Sequence, residues 1–185
     1  GIFANPNLWE ATNQVYINQT WAKSPITLGV ATFDGLNEFG RAYRISGGDS
    51  ICDVLSSLSI DLLNPQDSVY LSFFYQAGGW GEPPAGDDSL VVQFWNDSES
   101  KWQSTWRSNN APQDSFARAM IPVDTSFFSA NFKFRFLNYG FRAGAFDIWH
   151  IDYVQLDDQR DYLDTLLSDV AFTQAHPSLL LNYES

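Results

Sequence analysis

Apolar and polar residues alternate with a period of two along most of this chain. Few folds accommodate that pattern, because only an extended strand sends successive side chains to opposite faces. Phe132, Phe134 and Phe136 point one way and Lys133 and Arg135 the other. Val69, Leu71, Phe73 and Tyr75 share a face within 67–76, and Tyr70 and Phe74 on the other face predict a central strand covered on both sides. Leu90, Val92 and Phe94 alternate within 88–95, as do Trp102, Ser104 and Trp106 within 101–107. From Ile148 to Leu156, Trp149, Ile151 and Tyr153 oppose His150, Asp152 and Val154. Shorter candidates are 14–18, 29–34, 41–46, 58–63 and 115–123.

About ten strands separated by turn signals predict an all-β fold: a jelly-roll-like sandwich of two antiparallel sheets with long loops. The turns are read at Asn37, Gly47-Gly48-Asp49, Asn64-Pro65, Asn96-Asp97, Asn109-Asn110, Gly140 and Gly144. The Phe132, Phe134, Phe136, Val69, Leu71, Phe73, Leu90, Val92 and Phe94 side chains form the expected core. A long loop, Gly78-Gly79 through Asp88, joins two strong strands, a place where function or mobility is common. Helical spacing of Tyr162, Leu163, Leu166 and Leu167 marks 157–169 as a helix or an extended tail. The expected division is a sandwich domain over 10–157 and a C-terminal extension or linker over 158–185, and the chain reads as a piece of a longer polypeptide.

Charge excludes several classes of partner. A net charge of −12, with ten Lys plus Arg thinly spread, makes no basic face for nucleic acid or an anionic membrane. Among 22 acidic residues 17 are Asp, a turn and oxygen-ligand residue, which again favours strands and loops over helices. No apolar run approaches the ~18 residues of a membrane span, so membrane insertion is not expected. Cys52 is alone and reads as a small buried hydrophobe.

The histidines, His150 and His176, have no Gly-x-Ser-x-Gly serine to serve, and one Cys with two distant His cannot close a zinc site. His150 and Asp152 share a strand face, which allows either an Asp–His contact or a histidine simply hydrogen-bonded in place. Glycosidic hydrolysis needs two facing carboxylates. Here Glu10, Glu38, Glu82, Glu99 and Glu184 all fall in loops or termini, so no enzyme is expected. Calcium takes carboxylate oxygens, and one structural ion held partly by Asp34 and Asp152 would tie an early loop to the late strand. The same Asp residues could instead cap turns. Thirty aromatics, seven of them Trp, leave some flat side chains for a binding platform. Trp80 in the glycine-rich loop, and Trp95, Trp102 and Trp106 on adjacent strands, are the candidate ligand-binding residues, with core packing the alternative for the last three.

Gly29-Val30-Ala31-Thr32-Phe33-Asp34-Gly35-Leu36-Asn37, Gly40-Arg41-Ala42-Tyr43, the 67–76 strand and Trp149-His150-Ile151-Asp152-Tyr153-Val154 carry a resemblance. Together they resemble the amino-terminal domain of large exported Bacteroidota proteins associated with type IX secretion. The layout is also distantly similar to MAM-type and carbohydrate-binding jelly rolls, which close on an Ile-Asp-containing last strand, matched by Ile151-Asp152. The resemblance implies an exported, non-catalytic β-sandwich at the cell surface, outside the cell or in the periplasm. Its partner would be a glycan or, alternatively, another envelope or secreted protein of the secretion apparatus. No ligand residue is carried over.

Overall fold

The structure, a computed structural model, describes residues 3–11, 14–37, 39–44 and 48–159. Among the described residues nine strands and one 3₁₀ turn follow in order: β1 Tyr16–Asn18, β2 Val30–Phe33, β3 Asp49–Ser56, β4 Tyr70–Ala77, β5 Ser89–Asn96, β6 Lys101–Ser108, β7 Ala117–Pro122, the turn at Thr125–Phe127, β8 Phe134–Phe141 and β9 Trp149–Asp157. They form two antiparallel sheets, β1-β2-β9-β4-β7 and β3-β8-β5-β6, in a jelly-roll-like sandwich. All nine expected core residues are buried between the sheets. Edge-to-face contacts fill the middle, with Phe73 and Phe136 ring centroids 4.9 Å apart and Phe94 5.3 Å from Phe132. Trp9 lies over Phe134 at 5.7 Å, so the segment before residue 10 also packs on the sandwich. The C-terminal extension beyond Gln159, with most of the 157–169 helix candidate, lies outside the described residues.

Four segments differ from the sequence reading, each for a local reason. The strand β3 was hidden behind a turn signal and a broken pattern: a bulge between Ile51 and Val54 buries Cys52 and Asp53 consecutively. Residues 58–63 contribute a single bridge, Ile60 to Phe132, and within 41–46 Ala42 bridges Leu36. In β9, Ser72 pairs with Gln155 but Phe74 with Asp152, so one extra residue enters the strand near Tyr153, which sits at φ 51°. Face parity reverses there. Val154 and Leu156 pack toward the core, whereas Tyr153 lies edge-on to Phe74 at 6.3 Å.

The outer face of the five-stranded sheet is closed by the chain itself. A row of buried polar side chains crosses it, with Thr32, Gln76, His150 and Asp152 each at most 2% exposed. The Asn18 amide donates to Thr32 Oγ1 at 2.7 Å, and Thr32 Oγ1 meets His150 Nδ1 at 2.9 Å. Gln76 clasps Lys23 at both ends, accepting from its N–H and donating to its carbonyl at 2.8 and 2.9 Å. Asp152 accepts from Ile26 N, Thr27 N and Thr27 Oγ1 at 2.5–2.9 Å. These bonds hold residues 19–29 over the sheet as a roof. His150 is therefore a histidine hydrogen-bonded in place, and its other nitrogen meets Gly78 O at 3.0 Å.

Gly79 closes the same corner at φ 60°, where a Cβ would press against Trp21 O and stand 2.7 Å from His150 Nε2. Gly79→Ala adds a strained backbone and a clash to a region that cannot yield. It should cost about 2 kcal/mol or more, read as a lower urea midpoint. Gly86→Ala shares the positive φ but meets nothing within 4 Å, so it should cost less than half as much. Equal costs at the two positions would mean that strain alone, not the packed roof, sets the effect.

Candidate functional site

With one outer face roofed, the outer face of the four-stranded sheet is the open one, and its register fixes what it presents. Across the strands β6, β5 and β8, Trp102 stands beside Trp95, whose N–H donates to the Lys133 carbonyl. The next row is Ser104, Gln93, Arg135 and Ser56, and the one after it Arg107, Val91, Leu137 and Val54. Four strands at ~4.8 Å give a platform about 14 Å wide.

The β5–β6 hairpin positions the aromatic pair. Asn96 accepts from Glu99 N and Ser98 Oγ, tying the turn so that Trp95 and Trp102 face each other across the strands. Their centroids are 5.5 Å apart at 65°. The Arg135 guanidinium lies 4.2 Å over the Trp102 ring, and its Nε and Nη2 donate to Gln93 Oε1 at 2.8 and 2.6 Å. Gln93 in turn donates to Ser104 Oγ at 3.0 Å, so the four side chains hold one another. Beside them a groove of about 480 Å³ runs from Trp102 and Trp95 over Lys133 and Arg135 to Ser56, and Glu10 walls it. The N–H of Glu10 bonds Ser56 O at 2.9 Å, and its carboxylate pairs with Lys133 Nζ at 3.0 Å. Flat rings beside hydrogen-bonding side chains suit a ligand that is apolar on its faces and polar at its rim.

The four expected tryptophans therefore separate. Trp95 and Trp102 form the platform. Trp106 does not join them, because a bulge between Val92 and Gln93 inserts one residue into β6 and turns Trp106 inward. There it packs on Phe73 and Tyr75 at 5.3 and 5.0 Å. Trp80 is 73% exposed, but it lies in the loop that leads into β5, at the opposite end of that strand from Trp95. Its ring carries Lys23 Nζ at 4.6 Å, and Lys23 is paired with Asp114. Arg135, Lys133, Gln93 and Glu10 are the site residues that the sequence reading left out. For Lys133 and Arg135 the signal was the polar half of the 132–136 alternation.

The pairing of Asp34 with Asp152 around one calcium ion needs correction. In the β2–β9 ladder Phe33 faces Trp149, so Asp34 and Asp152 stand four positions apart, about 13 Å along the strands. A cation with ligands at ~2.3–2.6 Å cannot span that. Asp34 accepts from Leu36 N at 3.0 Å, a turn-capping role, while Asp152 holds the roof. Among the described residues no group of three His, Cys, Asp or Glu side chains is arranged to hold a metal.

No family model matches this chain, and no curated protein matches it. Among solved structures it is similar to the xylan-binding module CBM22-1 of Paenibacillus barcinonensis Xyn10C, with 11% identity, 80% of this chain and 83% of that chain covered, and a TM-score of 0.45. It is also similar to a CBM28 module specific for non-crystalline cellulose, with 11% identity, coverage of 80% and 86% and a TM-score of 0.46. A Stig cyclase from Fischerella is similar to the same degree, with 15% identity, coverage of 80% and 75% and a TM-score of 0.46.

Two titratable groups are buried away from the groove. Asp53, 0% exposed, accepts from Gly35 N and Tyr43 Oη at 2.7 Å each, and burial pushes its carboxyl up to about 7. Tyr43 Oη also reaches Leu36 O at 3.2 Å, and the bonds that Tyr43 and Gly35 donate to Asp53 pull its carboxyl part of the way back down. Burial pushes His150 down to about 4, against the pull of Gly78 O. The two act oppositely on stability. Folded Asp53 stays protonated from its ordinary value of 3.8 up to about 7, so its contribution is lost as pH rises through that window. Folded His150 stays neutral from its ordinary 6.5 down to about 4, so its contribution is lost as pH falls. Between pH 4.5 and 6.5 the slopes offset. Relative to the parent, Asp53→Asn should therefore gain stability with rising pH and His150→Gln lose it, each by up to about 1.4 kcal/mol per pH unit. Urea denaturation at pH 4.5, 5.5 and 6.5 reads this, and unchanged slopes in both variants would refute the assignment.

Proposed function

We propose that this chain is a non-catalytic glycan-recognition module of an exported protein, with its ligand lying on the outer face of the four-stranded sheet. The observation that carries this reading is the Trp95–Trp102 pair, locked by Arg135 and Gln93 beside an open groove. Sugar rings present apolar faces to aromatic planes and hydroxyls to the amide, hydroxyl and charged groups around them. The non-catalytic part rests on the groove's acid, Glu10, being ion-paired with Lys133, whereas glycosidic hydrolysis uses a facing pair of carboxyls. The exported setting follows from the resemblance to Bacteroidota surface proteins. No helix among the described residues is long and apolar enough to cross a membrane.

A second reading, recognition of another protein, has its own observation. Phe3, Tyr16 and Leu28, exposed by 67, 41 and 38%, line adjoining cavities at the β1 edge.

A glycan array followed by calorimetry on the bound sugars separates the two. Trp102→Ala should weaken glycan binding about tenfold or more, the scale of a central aromatic anchor, without unfolding the domain. Trp80→Ala should leave it unchanged. An array without any bound glycan, together with capture of a protein partner lost in Phe3→Ser, would replace the first reading with the second.

A further inference from the structure

We infer that the groove selects acidic glycans, those bearing uronic-acid carboxylates, with Arg135 as the group that binds the carboxylate. This rests on the glycan reading above and goes further by naming the sugar class.

In a chain of charge −12 the groove has the opposite sign. Lys133 and Arg135 line it against one acid, Glu10, and Arg107 projects from the same face two strands away, its Nη2 spent on the Asp87 carbonyl. Another acid, Asp97, sits in the β5–β6 turn and takes its bonds from the Trp95 indole at 3.2 Å and Asn131 at 3.4 Å. Glu10 is already matched by Lys133. That leaves Arg135 without a carboxylate in direct contact, the charge of Glu10 reaching it only through space.

The guanidinium's hydrogen bonds show where a ligand would attach. It has five N–H donors. Its Nε and one Nη2 hydrogen converge on the neutral Gln93 oxygen, and among the described residues no carboxylate stands within ion-pair distance. The remaining Nη1 and Nη2 hydrogens form the end-on fork that matches a carboxylate with two parallel bonds. Half-burial against Trp102 desolvates the cation and holds it below the usual arginine range, with the charge of Glu10 opposing. A half-desolvated charge without a direct counter-ion is costly, and a bound carboxylate lowers that cost. Stacking on Trp102 and the bonds to Gln93 fix the fork in advance, so a ligand gains both bonds with little further ordering. A neutral sugar would leave the fork facing water.

The test uses matched pairs. Oligosaccharides of alginate, polygalacturonate and hyaluronan are titrated alongside their carboxyl-reduced forms, which keep the backbone and lose the charge, with cellohexaose and xylohexaose as neutral probes. At least one uronate should bind, and carboxyl reduction should weaken it about tenfold or more. Arg135→Gln should bring the two forms to parity, with its fold checked by thermal melting. Raising NaCl from 0.05 to 0.5 M should weaken the acidic form more than the reduced one. Trp102→Ala should weaken both forms, and the acidic one more, because it also removes the stack that holds the Arg135 fork. Binding that survives carboxyl reduction and Arg135→Gln undiminished, or is confined to the neutral probes, overturns the acidic preference and leaves the glycan reading standing. Failure of every probe, acidic and neutral, overturns both.

Discussion

The buried hydrogen-bond row over the five-stranded sheet determines which surface this protein can use. Asn18, Thr32, His150, Gln76 and Asp152 come from four strands and are sealed by residues 19–29. Buried polar groups left without partners cost about 1–3 kcal/mol each, so the roof cannot lift without exposing several of them together. A two-sheet sandwich has two outer faces, and closing one leaves the other open. The neutrality of His150 belongs to the same row, since a charged imidazole would be stranded there without an acid against it.

Bulges then decide which side chains reach the open surface. Alternation in β6 would place Trp102 and Trp106 together, and one inserted residue sends Trp106 into the core as a cap on Phe73 and Tyr75. An inserted residue in β9 likewise moves Val154 and Leu156 inward. In each case the strand turns an apolar side chain into the sandwich while the preceding residues keep the opposite register. The platform is thus two tryptophans wide because the third is needed inside.

Charge is distributed just as unevenly. The chain is strongly acidic, yet the groove on the open face is lined by Lys133 and Arg135, with Glu10 as the opposing charge. Outside the groove, Asp53 is shielded by burial and by Tyr43, and Asp152 is consumed by the roof. These two acids are therefore structural. The cations mark the face where the aromatic pair stands.

Period-two alternation by itself determined the all-β class, most of the strands and all nine expected core residues, because the alternation is the physical condition for one face to be buried. It also separated Lys133 and Arg135 from the phenylalanines beside them, which together with Trp95 and Trp102 was the visible trace of the candidate site. What the alternation could not give was anything set between strands far apart in sequence. The strand β3 escaped because Cys52 and Asp53 are buried in succession, a pattern that only the bulge against β8 explains. Asp34 and Asp152 looked like partners until the β2–β9 register spaced them along the ladder, and Trp106 looked like a platform residue until its bulge turned it. Sequence determines the period within a strand. Register, bulges and the closing of one face arise from pairing between strands, where one inserted residue exchanges inside for outside, and only the tertiary structure decided them.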